Sequence, residues 1–229
     1  MRNILKFSLV AMTLAIVFGA VSVTESNAQI NEIYNRMDAH YKALQSLEAN
    51  VKMEKYNAQL GETDISIGVV KYIPKSQNGK MYVRLDWTKP VEEQMAVIGD
   101  NYRLYRPRLN QVYEGKTSSA KNNAKVGGAL NFMSMSKAEL KNNYDPTYLG
   151  EENVNGVPTV HLKLIPKTAS NYSEAHIWVD GNGMPIMAKV IEKNKDSTAI
   201  LLSNLKKNVA IKDGAFIINY PKNIKPIKG

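Results

Sequence analysis

From Val51 to about Tyr220 the sequence keeps a period of two, and a chain that alternates over such a length has to build a sheet. Val51, Met53 and Lys55 alternate with polar neighbours. Ile65, Ile67 and Val69 fall on one face of the next run, and Met81, Val83, Leu85 and Trp87 share a face with Tyr82, Arg84 and Asp86 opposite. Turn signals separate the runs at Gly61, at residues 74–79 and at Lys89-Pro90. Gly99-Asp100-Asn101 joins a strand over 94–98 to one over 102–105, Pro107 breaks the ladder, and Val112-Tyr113 resumes it. Further strands are expected at 148–152, 159–165, 174–179, 186–192, 197–205 and 215–220, with Asn155-Gly156 and Asp180-Gly181-Asn182-Gly183 as hairpin turns. Roughly ten or eleven antiparallel strands in up-and-down order, with no shift in composition to mark a linker, predict one domain whose sheet has to curl.

Two stretches depart from the alternation. Residues 30–47 place Ile30, Ile33, Tyr34, Met37, Tyr41, Leu44 and Leu47 three and four apart, with Asn35, Asp38, Lys42 and Gln45 opposite, which predicts an amphipathic helix. Residues 116–143 are first polar and small, then bring Leu130, Phe132, Met133 and Met135 ahead of a short helix over 136–142, where Ser136 and Glu139 form a capping box. A long excursion carrying apolar residues inside an otherwise regular sheet reads as a lid.

The N-terminus has its own grammar. Arg2 and Lys6 give a positive start, residues 7–23 are largely apolar, and Ser26-Asn27-Ala28 puts small residues where a signal peptidase cuts. Residues 1–28 are therefore expected to be a cleaved signal peptide, and 29–229 one exported domain. The absence of cysteine excludes a disulfide framework, a thiolate metal site and a lipid-modified cysteine, so the mature chain is expected to be soluble in the periplasm. Losing Arg2, Lys6 and Glu25 lowers the formal charge of +9 by one. A basic exported protein meets acidic lipid head groups, glycans and proteins rather than nucleic acid.

Sites for covalent chemistry are lacking in the pattern. Of three histidines, His161 and His176 sit on separate strands without a carboxylate at ligand spacing, and His40 is alone on the helix. Glu92-Glu93 and Glu151-Glu152 are adjacent strand residues pointing to opposite faces, so they read as solvated strand ends. Asp180-Gly-Asn-Gly lacks the other oxygen ligands of a calcium loop, and Gly127-Gly128 precedes no lysine that would hold phosphate. Arg103, Arg106 and Arg108 with Tyr102, Tyr105 and Tyr113 have the composition of a base-stacking patch. In an exported chain the same residues read as a sheet edge with guanidinium groups over tyrosine rings. No catalytic residue, metal or cofactor is expected, and the chain is not read as an enzyme. Met53, Met81, Met95, Met133, Met135 and Met187 lie on expected strands or the lid, where thioethers fill a core or fit a flexible ligand.

Six segments carry a resemblance: "GVVKYIP" at 68–74, "RLDWTKP" at 84–90, "VIGDNYRLYRPRLNQV" at 97–112, "VHLKLIPK" at 160–167, "WVDGNGMPIMAKV" at 178–190 and "FIINYPKNI" at 216–224. In order and spacing they resemble the periplasmic outer-membrane lipoprotein carrier family (LolA-like), over nearly all of the mature chain. The resemblance implies a mainly β fold with α: an incomplete, half-open antiparallel β-barrel with an N-terminal helix and a helical lid. It further implies an apolar interior that takes lipoprotein acyl chains from an inner-membrane lipoprotein-releasing transporter and passes them to an outer-membrane receptor. The family commonly has an arginine before the proline of the second strand that holds the lid shut. In this chain Ile73 stands in that place, leaving Arg84 or Arg103 as substitutes.

The expected cavity face consists of Ile65, Ile67, Val69, Met81, Val83, Leu85, Trp87, Met95, Val97 and Leu104, with Leu130, Phe132, Met133 and Met135 as the lid. Its membership rests on alternation, so a one-residue slip would invert it. Handover would run down an affinity gradient, by a monomer. The alternatives are a periplasmic sensor of lipid or lipoprotein, as half-barrels of this kind also serve regulators with a second domain, and a carrier of another lipid or glycolipid.

Overall fold

The helical period and the period of two become one long helix and one large sheet in the computed structural model, which describes residues 21–74, 79–117 and 135–228. Helix α1 spans Val21–Ala43 and buries Ile30, Ile33, Tyr34 and Met37, the i, i+3, i+4, i+7 stripe expected of it. It starts earlier than the sequence suggested, so the residues around Ala28 continue the helix. It also stops short of Leu47, because residues 45 and 46 are tied elsewhere. The Gln45 backbone N–H donates to Asn208 Oδ1 at 2.8 Å, and Ser46 Oγ donates to the Val209 carbonyl at 2.5 Å.

The strands are β1 (Leu47–Asn57), β2 (Glu62–Ile73), β3 (Tyr82–Lys89), β4 (Glu93–Ile98), β5 (Asn101–Arg106) and β6 (Gln111–Lys116), then β7 (Tyr144–Val154), β8 (Val157–Pro166), β9 (Tyr172–Asp180), β10 (Pro185–Glu192), β11 (Ser197–Lys207) and the two-residue β12 (Ile227–Lys228). All belong to one open sheet of order β12-β6-β5-β4-β3-β2-β1-β11-β10-β9-β8-β7. The expectation of a single up-and-down run is thus corrected. There are two meanders, joined where β1 pairs with β11, and the chain between β6 and β7 connects the two ends of the sheet.

Within that connection, helix α2 (Lys137–Asn143) has the expected capping box: Glu139 N–H reaches Ser136 Oγ while the Ser136 N–H donates to Glu139 Oε2 at 2.7 Å. The expected strand at 215–220 is not part of the sheet. A 3-10 turn at Asp213–Phe216 leads into an extended segment whose Phe216 and Ile218 are buried, but against the outer face of the sheet rather than hydrogen-bonded within it. Its alternation is real, and packing rather than a ladder accounts for it.

The main core lies between the inner face of the sheet and the two helices. α1 meets the second meander where Gly183 (φ +84) turns beside it, so closely that a Cβ there would stand 2.2 Å from the Arg36 carbonyl oxygen. Only glycine permits both that backbone conformation and that approach. Arg36 Nη1 then donates to the Gly181 carbonyl, and Lys137 Nζ donates to Asn35 Oδ1, linking α1 to the β9–β10 turn and to α2.

Candidate functional site

Residues directly opposite one another in antiparallel strands share a face, so the register sorts the first meander into rows. One row runs Leu47, Tyr72, Val83, Val97, Tyr102, and the next Ala49, Val70, Leu85, Met95, Leu104, Tyr113. A third pairs Val51 with Gly68 and Gly68 with Trp87. All three lie on the inner face, since Leu47, Ala49, Val51, Val70, Leu85 and Trp87 are members of the main core.

Six of the ten expected cavity residues, Val83, Leu85, Trp87, Met95, Val97 and Leu104, therefore meet on one surface. Met81 continues their alternation just before β3. Ile65, Ile67 and Val69 do not join them and are corrected: they lie on the outer face, 45%, 42% and 38% exposed. The cause is the pattern of β2, apolar at both parities. Val70 and Tyr72 take the inner positions, and Gly68 admits β3 so closely that a Cβ would stand 2.3 Å from the Asp86 carbonyl oxygen. The pairing slips between Ile67 and Gly68, as it does at a bulge. Alternation alone missed Val70 and Tyr72, because each sits beside an apolar neighbour of the other parity, Val69 and Ile73.

The inner face is unevenly filled. Along the second meander Leu162, Leu164, Ala175, Ile177, Ala188 and Ile200 are wholly buried. Along the first, Tyr72, Val83, Met95, Val97 and Tyr102 are only half-buried and Met81 is exposed. The half-open strip follows the row that ends the sheet at the β2–β3 and β4–β5 turns. Met135 packs against the main core, half-buried, at the start of α2, while Leu130, Phe132 and Met133 lie outside the described residues.

The arginine and tyrosine cluster is divided between the faces. Arg103 is on the outer face, bonded to Glu114 and 5.4 Å above the Tyr220 ring, whereas Arg106, on the inner parity, pairs with Glu93 at 2.9 Å and lies 5.5 Å from the Tyr113 ring. No single stacking surface results. Arg84 is also on the outer face, where it donates to the Ile217 carbonyl and Gln94 and pairs with Asp86 at 2.7 Å. Arg84 and Arg103, the two substitutes for the gating arginine, thus share the outer face. Both are bound to partners on the side away from α1 and α2.

Glu152 is the exposed strand-end residue that the sequence suggests, but sequence reasoning gave no partners to it, His161 or His176. The β8–β9 register brings the two imidazoles together and Glu152 onto His161, a contact between strands that spacing along one strand cannot show. Among the described residues no three His, Asp or Glu side chains converge to hold a metal ion, and no helix is long and apolar enough to cross a membrane.

No curated protein matches the sequence. Among solved structures, MucB is 14% identical, with 84% of this chain and 63% of that one aligned at a TM-score of 0.57. MucB has also been solved as the Pseudomonas aeruginosa MucA/MucB complex. The chain thus spans less than two thirds of MucB. The Mycobacterium tuberculosis lipoprotein LppX is 15% identical over 82% of this chain and 99% of that one, with a TM-score of 0.52. A LolA superfamily protein, NE2245 from Nitrosomonas europaea, aligns over 82% of this chain and 97% of that one at 14% identity and a TM-score of 0.42. The likenesses to MucB and LppX are of fold alone: a mainly β chain whose one large sheet is not closed into a barrel. A family model described as "Uncharacterized protein" matches residues 73–197, more than half of the chain, and the chain belongs to that family.

Proposed function

We propose that the chain is an exported, soluble periplasmic carrier that shelters lipoprotein acyl chains in the hollow of its half-barrel and passes them towards the outer membrane. One observation carries the reading. The inner face is sealed along the second meander but half-open along Tyr72, Val83, Val97 and Tyr102, and β6 and β7, which the chain connects, lie at opposite ends of the sheet. Burying hydrocarbon is worth about 0.8 kcal/mol per methylene, so one long acyl chain represents on the order of 10 kcal/mol that has to be sheltered in transit. Tyr72, Val83, Met95, Val97 and Tyr102 would line the site above the buried Leu85 and Leu104, with Leu130, Phe132, Met133 and Met135 closing over it. Residues 1–28 would be removed on export. Loading from an inner-membrane transporter and delivery to an outer-membrane receptor need no bond chemistry, only a series of rising affinities. Basic surface residues favour docking on acidic partners.

The likeness to MucB, solved in complex with MucA, favours one second reading: a regulator that binds a partner protein. Purification of the mature protein from its native envelope, followed by mass spectrometry of what it holds, separates the readings. Co-purifying lipoproteins support the carrier, free glycolipid supports a carrier of another cargo, and an empty protein held by a membrane partner supports the regulator.

A further inference from the structure

Four titratable side chains on the outer face of β7, β8 and β9 form an unbroken line. Glu152 Oε1 lies 2.6 Å from His161 Nδ1, His161 Nε2 lies 2.8 Å from His176 Nδ1, and His176 Nε2 lies 3.2 Å from Glu174 Oε1. Trp178 secures one end, its ring stacked on His161 at 4.2 Å between centroids and its Nε1–H donating to Glu152 Oε2 at 2.8 Å. The charged groups facing His176 from its neighbouring strands are Lys163 on β8 and Lys189 on β10, each directly opposite it.

Counting protons fixes the state of this line. With both carboxylates ionised, each needs a donor, so His161 carries hydrogen on Nδ1 and His176 on Nε2. That leaves His161 Nε2 and His176 Nδ1 facing each other. Two lone pairs at that separation repel, and two N–H groups collide, whereas a single proton makes an N–H···N hydrogen bond. Burial pushes the His161 imidazole down against the pull of Glu152, and His176 adds to that push.

We infer that His161 and His176 share one proton at neutral pH and form an acid-sensitive clasp between the β7–β8 hairpin and β9, which a second proton opens. The second proton places a hydrogen on both facing nitrogens and a second positive charge beside Lys163 and Lys189. The line then parts into a Glu152–His161 half and a His176–Glu174 half, and His161 leaves its stack on Trp178. The hairpin carries Tyr144, Leu162 and Leu164 into the main core, so the clasp bears on the sealed wall of the half-barrel. It works the same way whatever the hollow holds.

The test is an NMR titration of the full exported chain with nitrogen-labelled histidine and tryptophan, from pH 8 to 4.5. The expected result is two separate protonation steps for the imidazole pair, with the Trp178 indole N–H moving at the second. Amide exchange over 144–166, corrected for its intrinsic pH dependence, should rise about tenfold across that step, as one pKa unit of coupling requires. His176→Gln should abolish the acid response of the indole. If that variant does not fold, the native titration decides alone. Both imidazoles titrating together in one step, or unchanged exchange across the second step, would overturn the clasp. So would Zn²⁺ at neutral pH binding both rings and slowing exchange in the hairpin, since the bridging electrophile would then be a metal ion.

Discussion

Leu85→Ala and Ile67→Ala remove side chains of nearly equal volume from neighbouring strands, and only the register makes their consequences differ. Leu85 is 0% exposed, between Val70 and Met95 on the inner face, while Ile67 is 42% exposed on the outer face. Truncating leucine to alanine forfeits about 2.4 kcal/mol of transfer free energy at roughly 0.8 kcal/mol per methylene. The cavity left behind raises the total towards the range of about 2–5 kcal/mol. At Ile67 much of that surface already faces water and no closed cavity forms, so the loss should stay below about 1 kcal/mol. Urea unfolding followed by the fluorescence of Trp87 and Trp178 measures both, with an unchanged slope as the sign that only stability has moved. If the carrier reading is right, Leu85→Glu also abolishes retention of a bound acyl chain while Ile67→Glu leaves it. Equal losses, or the larger loss at Ile67, would mean that β2 does not set Val70 opposite Leu85 but pairs one residue away, and the hollow would have to be redrawn.

Gly183→Ala should cost about 2 kcal/mol or more, seen as a thermal midpoint lower by about 4–8 °C, because the new Cβ meets the Arg36 carbonyl and the backbone is left-handed. Arg84→Ala should cost about 1–3 kcal/mol and speed proteolysis within 213–228, since Arg84 is buried and its guanidinium holds the Ile217 carbonyl; an unchanged cleavage pattern would deny it that role. Ser136→Ala should cost about 1 kcal/mol through the lost cap of α2, measured by urea unfolding, with Ser136→Asp close to wild type. Acid should destabilise in two stages. Burial lowers the His161 pKa, so below about 6.5 the unfolded chain takes up its proton first and stability falls with pH. The bonds from Trp178 and His161 lower that of Glu152, whose contribution is lost below about 4.5 as pH falls through its folded value. A urea midpoint that held constant or rose as the pH fell from 6.5 to 5 would contradict the first stage.

What the sequence made legible was whatever one strand or one turn decides alone. β3 reads plainly because Val83, Leu85 and Trp87 on one parity face Arg84 and Asp86 on the other, so only one register buries the apolar set. The capping box of α2 and the Asn155-Gly156 turn, with positive φ at both residues, are equally local. β2 was misread because Ile65, Ile67 and Val69 compete with Val70 and Tyr72, and the choice is made by how Gly68 meets β3. The meeting of β1 with β11 and the line from Glu152 to Glu174 depend on which strands become neighbours. Nothing in the period of a single strand records that. At 215–220 the periodicity was real but its cause was different, since Phe216 and Ile218 bury themselves on a sheet they do not extend.

That outer segment bears on how a sheet can keep a half-open face and still be stable. Strands with few partners on the inside forgo dispersion contacts there, and the loss has to be met elsewhere. The second meander has α1 and α2 packed on its inner face. The first meander, where Tyr72, Val83, Met95 and Val97 remain half-buried, is braced from the other side. Ile218, Tyr220 and Ile224 build a second small core with Ala96, Tyr105 and Val112, Phe216 meets Tyr82 at 5.3 Å between ring centroids, and Arg84 ties the segment at Ile217. Lys228 then pairs with Glu114 where β12 adds to β6. The brace covers the strands whose inner face is least filled, so this half of the sheet does not depend on a filled interior for its stability. A protein that must hold a space and then give up what occupies it requires that separation of stability from content.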